Sequence, residues 1–348
     1  MKLTQAKSLF SLFLKLGITA ICLFFLYRDF KGELLAIPDI LSQANWLMVG
    51  LAGFFLLASQ IVAVWRWRVC AEALGIISSD HSPTTNLELG RIYFISLFAN
   101  NFLPGAFGGD LIRALILKRE NPHCSMVNCG SSVLLDRFCG LIILVWSGFL
   151  MCWYLKLGMR IDLPQSLYLG MSAIWLVFNL SLLIAIFLSH RMHLIPHIPF
   201  STRLNHKLRE CIALFAALTK NHERAWNMFL SSVVIQILVG FCLISLYQGL
   251  KLNFSPFFVW LLHPVTTLGT FILPSINGLG VRESLHAFLF TTLGYTAQAG
   301  ITLSVGWFLL FMLVSLPGAA LMLVKPAETF ADLKQTPETS EHKSLAVI

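Results

Sequence analysis

The sequence predicts an all-α polytopic membrane protein made of two inverted-topology halves, each running span, span, re-entrant hairpin, span. Three observations lead there. The 348 residues are 57% hydrophobic and 12% charged, with mean hydropathy +0.76, whereas a soluble domain is about a quarter charged. The apolar residues fall in runs that approach or exceed the roughly 20 residues needed to cross a bilayer core. Finally, the segments 103–113 (LPGAFGGDLIR) and 273–283 (LPSINGLGVRE) each place Leu-Pro, a glycine four residues after the Pro and then an Arg inside apolar surroundings. Proline removes a backbone donor and glycine relaxes the dihedrals, so each should break a membrane helix. The two segments lie 170 residues apart. Paired breaks at matching places in two halves mark a transporter built from a repeat.

The elements follow in order. A first span, about 9–27, follows Lys2 and Lys7. It is expected to be retained rather than cleaved: Lys15 interrupts it, no small-residue cleavage site follows, and Thr19-Ala20-Ile21 before Cys22 lacks the small residue of a lipoprotein signal. A second span covers 45–65. Segment 91–117 then breaks between Pro104 and Gly109. Its arms, 91–103 and 108–117, are too short to cross at about 1.5 Å per residue, so they suit a hairpin entering from the cytoplasm. Spans 129–155, 167–189 and 226–250 follow. A second hairpin, 256–296, turns at Pro274 to Gly280, and a last span covers 300–324. Residues 1–325 thus form one membrane domain, with repeats at about 9–155 and 167–324, and 326–348 read as a polar, disordered cytoplasmic tail. The competing reading makes 91–117 and 256–273 ordinary Pro-kinked spans, which would change the sides of the middle loops.

Charge gives the orientation. The net charge is +8. With the N-terminus inside, 16 Lys and Arg fall on predicted cytoplasmic segments, 5 on external ones and 4 within the membrane. This positive-inside bias predicts a multi-pass inner-membrane protein with both termini cytoplasmic, and it assigns the basic balance to lipid headgroups rather than nucleic acid. The eight cysteines read as reduced packing residues, since Cys124 and Cys129 have no second pair. His190, His193 and His197 are interrupted by Pro196 and make a poor metal site. No phosphate loop, H-E-x-x-H or G-x-S-x-G occurs, so neither a cofactor nor a metal is expected.

Besides Lys15, six charges fall within predicted membrane segments: Asp110, Arg113, Asp136, Arg137, Arg282 and Glu283. Each costs about 2.5–3.5 kcal/mol on insertion scales and asks for a partner or a cavity. The turns at Gly108-Gly109 and Gly278 to Gly280 precede half-helices whose free N–H groups favour an anion. With Arg113 and Arg282 they would grip a phosphate. In the alternative reading the charges neutralise one another, Asp110 with Arg113 and Glu283 with a nearby Arg. Asp136 and Arg137 are neighbours that point to different faces, so they either reach across to the first hairpin or anchor the topology. Asn101 and Asn277 flank the breaks and can satisfy freed backbone groups. His263 reads as a hydrogen-bonded interior histidine, and Trp65-Arg66-Trp67-Arg68 as an interfacial belt.

The set Asn101-Phe102-Leu103-Pro104-Gly105, Gly108-Gly109-Asp110, Arg113, Asp136-Arg137 and Pro274 with Gly278, Gly280 and Glu283 resembles the flippase-like family. That family comprises the transmembrane domain of lysylphosphatidylglycerol synthase and its stand-alone relatives. The resemblance implies a lipid translocase, a flippase or scramblase, that moves a phosphate-bearing lipid between leaflets through a cavity between inverted halves. Its partners would be an anionic phospholipid or a polyprenyl-phosphate-linked lipid, and oligomerisation stays open. Because the chain ends soon after the last span, lysyl transfer is not expected. A membrane-embedded glycosyl or acyl transferase, with Asp110 or Glu283 as base, is the alternative.

Overall fold

The computed structural model describes residues 24, 27–28, 39, 42–77, 84–102, 108–161, 163–190, 221–272 and 278–324. Every regular element among them is helical. Helix α1 covers Trp46–Ala73, α2 Asn86–Phe102, α3 Gly108–Glu120 and α4 Met126–Trp153, which runs on into a π turn at Tyr154–Gly158. Helix α5 covers Gln165–His190, α6 His222–Gly249, α7 Phe257–Ile272, α8 Val281–Thr292 and α9 Ala297–Val324. Side-chain caps fix several starts. Asn45 Oδ1 accepts from the Leu47 N–H, Ser125 Oγ from the Asn128 N–H, and Asn221 Oδ1 from the Arg224 N–H.

Helices α1, α4, α5, α6 and α9 are long and apolar enough to cross a membrane. They coincide with five of the six predicted spans; the sixth, 9–27, lies outside the described residues apart from Phe24 and Tyr27. The main boundary error is at α1, which continues eight residues beyond 65 to Ala73. The arms of the broken segments are also longer than expected. Helices α2 and α3 have 17 and 13 residues, still below the roughly 20 of a full crossing.

The most extensive packing is between α1 and α6, which run antiparallel. At one end the Asn45 N–H donates to the Gly249 carbonyl at 2.7 Å; midway Arg66 Nη1 donates to Ser232 Oγ at 3.0 Å; at the other end Arg224 Nη1 reaches the Glu72 carbonyl at 3.2 Å. Helices α2 and α3 form a hairpin whose outer ends meet through Arg91 and Glu120 at 2.7 Å. Those ends lie beside the close of α1, where Arg68 bonds Asn86 and the Cys124 thiol faces the Ile76 carbonyl. Helices α7 and α8 form a second hairpin, closed at its outer ends by the Tyr295 hydroxyl accepting from the Ser255 N–H at 3.2 Å. These ends lie beside the close of α4, where the Tyr154 and Phe257 rings are 6.2 Å apart.

Helix α4 packs on α3 and α7, and α9 packs on α8 and α2. Exchanging α1 with α6, α2 with α7, α3 with α8 and α4 with α9 leaves this set of packed pairs unchanged. Helix α5 sits outside this set against α4, with Val177, Leu183 and Phe187 exposed.

Glycine permits close helix approach at several described positions, Gly109 and Gly318 among them. A Cβ at Gly109 would meet the Ser96 carbonyl oxygen and the Asn100 side chain, and one at Gly318 would meet the Phe94 carbonyl. Gly109→Ala should therefore lower stability by about 1–3 kcal/mol through overpacking of the α2–α3 pair, read as a reduced melting temperature of the detergent-purified protein.

Candidate functional site

A cavity of about 560 Å³ lies between the two hairpins, walled by α1–α4 and α6–α9. Helix α2 turns one face into it through Tyr93, Ser96, Leu97 and Asn100, the i, i+3, i+4, i+7 stripe of a helix. Helix α7 does the same through His263, Thr266, Thr267 and Thr270. Each residue of the second stripe stands 170 positions after its counterpart in the first. The same spacing relates two further lining residues, Arg137 on α4 and Trp307 on α9.

Four arginines line this cavity: Arg66, Arg113, Arg137 and Arg282. Three carboxylates stand behind them and do not line it. Asp136, 2% exposed, is shared: its Oδ1 accepts from Arg66 Nε at 2.8 Å and its Oδ2 from Arg113 Nη1 at 3.1 Å. This joins α1, α3 and α4. Asp110 takes a bidentate pair from Arg137, with Nε to Oδ2 at 3.0 Å and Nη2 to Oδ1 at 2.9 Å. Glu283 accepts from Arg282 Nη2 at 2.8 Å and from Ser304 Oγ at 2.9 Å. Buried charges need such partners, since desolvation of an ion outweighs most other local terms.

Arg113 is held in an unusual setting. Its guanidinium lies 3.8 Å from the Trp67 ring centroid and 4.7 Å from that of Tyr93, a cation–π arrangement. Its Nε and Nη2 are buried with no hydrogen-bond partner.

These contacts revise several sequence-based expectations. Asp110 pairs with Arg137, not with Arg113, because the two hairpin residues use partners on α4 instead of each other. Asp136 and Arg137 do reach the first hairpin. At each helix start one N–H is already engaged: the Gly109 N–H donates to Asn100 Oδ1 at 2.8 Å, and the Gly280 N–H to Glu283 Oε2 at 2.7 Å. Gly278 and Gly280 have φ of 74° and 79°, the left-handed region that favours glycine. Asn101 Nδ2 crosses to Ser315 Oγ on α9 at 2.8 Å, and its neighbour Asn100 takes the Gly109 N–H. Gly108 opens α3 and Gly278 lines the cavity. Pro104, Pro274 and Asn277 lie outside the described residues, as do His193 and His197.

The belt at 65–68 is only partly interfacial. Trp65 is exposed and Arg68 half-buried, but Arg66 and Trp67 are interior parts of the site. Sequence reasoning also passed over Gln60, Tyr93, Asn100, the threonines of α7, His286 and Trp307. The signal was available, since polar residues recur at helical spacing on both hairpins' first arms. The six described cysteines are buried thiols, and no described group of His, Cys, Asp and Glu has the arrangement of a metal site.

Glu283 accepts from the Gly280 N–H and from Arg282 at the start of α8, and from Ser304 Oγ on α9, which ties the two helices. Glu283→Gln, which keeps the size but removes the charge, should cost about 1–3 kcal/mol, seen as a lower melting temperature.

The family model described as Lysylphosphatidylglycerol synthase TM region matches residues 12–318. No curated protein and no solved structure matches the chain.

Proposed function

The chain belongs to the lysylphosphatidylglycerol synthase TM region family, and on that premise we propose that it is a lipid translocase, carrying a phosphate-bearing lipid head across the bilayer through the cavity between the hairpins. The observation that carries this reading is the convergence of four arginines, drawn from α1, α3, α4 and α8, on one cavity. Apolar residues such as Leu56, Val239 and Leu243 complete its walls, as suits a site serving a head and its chains.

The two halves are read as an inverted repeat. Support comes from the exchange symmetry of the packed pairs, from the 170-residue spacing of the lining positions, and from the antiparallel α1–α6 pair. Equivalent helices that lie antiparallel are related by an axis perpendicular to both, which places it in the membrane plane. The hairpins are then re-entrant, the first opening beside the close of α1 and the second beside the close of α4. The positive-inside rule sets the first on the cytoplasmic face of an inner membrane, with both termini on that side.

A transferase would need a carboxylate free to take a proton from a substrate hydroxyl. Asp110, Asp136 and Glu283 are each engaged by arginine behind the lining, which favours translocation.

The test is reconstitution into liposomes with a fluorescently tagged phosphatidylglycerol and a membrane-impermeant quencher. Wild-type protein should expose nearly all of the probe, against about half in protein-free vesicles. Equal quenching in both, or a covalently modified lipid product, would overturn the proposal.

A further inference from the structure

Resting on the translocase reading, we infer that the cavity selects a lipid whose head carries one net negative charge, as a phosphodiester, together with hydroxyl groups and no ammonium. Among the described residues, four lining arginines are set against three carboxylates, and the shared one is Asp136. One guanidinium charge is therefore left without its own counter-ion, in an interior where uncompensated charge is unfavourable. The three turn-flanking carboxylate and arginine pairs are otherwise matched one to one, and the turns 103–107 and 273–277 contain no charged residue. A monoanion closes the balance; a dianion or a cation leaves it open.

A second, independent observation points to the same ligand. Arg113 is 1% exposed, it lines the cavity, and its Nε and Nη2 have no acceptor. Phosphate oxygens supply the acceptors that a buried guanidinium lacks.

The opposite wall has a different chemistry. On α7 the Thr266 hydroxyl donates to the Leu262 carbonyl at 2.7 Å and the Thr270 hydroxyl to the Thr267 carbonyl at 2.8 Å. With their protons committed to the backbone, these oxygens face the cavity as acceptors. Trp307, 5.9 Å from the His263 ring, offers an aromatic face beside them. Hydroxyl acceptors beside an aromatic face fit a polyol. At positions equivalent by spacing the first half offers Arg137 and the second Trp307, so three of the four lining arginines belong to the first half and Arg282 alone to the second. No lining residue is a carboxylate, so an aminoacylated, cationic head finds no counter-ion.

The experiment uses wild-type protein in liposomes and four tail-labelled probes: phosphatidylglycerol, phosphatidylmethanol, phosphatidylcholine and lysyl-phosphatidylglycerol. Phosphatidylglycerol should cross fastest, phosphatidylmethanol more slowly, and the zwitterionic and cationic lipids at least about tenfold more slowly than the first. Thr266→Val should narrow the gap between the two anionic probes. Equal rates for all four would overturn the charge selection while leaving translocation standing. Equal rates for the two anionic lipids would overturn the hydroxyl selection. Movement of none would remove the translocase reading itself. Release of entrapped inorganic phosphate by the protein would show that the site serves a soluble anion, and would overturn the lipid assignment.

Discussion

Asp136→Ala will leave little properly folded protein. Among the described residues this carboxylate is the counter-charge that Arg66 and Arg113 share, and both guanidiniums are buried with side-chain exposures of 9% and 2%. Truncating one partner of a buried pair costs about 3–5 kcal/mol because the other charge is stranded. Here two charges are stranded, on helices that the carboxylate had tied together. Against a whole-protein stability of about 5–15 kcal/mol, that removes most of the margin. Size-exclusion chromatography in detergent should show aggregated or poorly expressed protein, and Asp136→Asn should recover part of the monodisperse peak through its hydrogen bonds. A monodisperse Asp136→Ala protein melting with wild type would show that the arginines do not depend on this carboxylate.

Arg113→Gln should have the reverse signature: the fold survives and transport fails. Asp136 keeps its bond to Arg66 Nε, and the glutamine amide can replace the single bond that Arg113 makes to Oδ2. The substitution also brings the lining charges into balance, so the electrostatic cost to folding is small. What is lost is the surplus cation and the unpartnered donors. Hydrogen bonds to charged groups contribute about 1.5–3 kcal/mol, so transport of an anionic lipid should fall by about tenfold or more, with the melting temperature within a few degrees of wild type. Transport at the wild-type rate would remove Arg113 from the lipid path.

The helical class, five of the spans and both breaks were legible in the sequence because they are local: apolar run length, Pro, and Gly. The pairing of the charges was not. Arg66 and Asp136 are 70 residues apart and Arg137 and Asp110 are 27 apart, whereas spacing alone can propose only i, i+3 or i, i+4 partners. Hence Asp110 was matched to the nearest arginine on its own helix. Arg66 and Trp67 were assigned to the interface because the apolar run stops at Trp65. The helix does not stop there. Its end is set by Gly75, whose φ of 69° ends the chain's helical path, and that glycine leaves Arg66 two turns inside α1. The polar stripes on α2 and α7 were also readable, but their meaning depended on their facing one another across the same cavity, which only tertiary packing decides.

The central claim is that two hairpins enter from opposite faces and meet at the arginine-lined cavity. Cysteine placed at the outer end of each tests it most directly. His123 and Asn253 are both exposed, one in the turn after α3 and the other just before α7. His123→Cys and Asn253→Cys proteins would be treated with a membrane-impermeant maleimide in sealed right-side-out and inverted vesicles, with the unsubstituted protein as background. The account predicts labelling of position 123 only in inverted vesicles and of position 253 only in right-side-out ones. Labelling of both from the same face would contradict it.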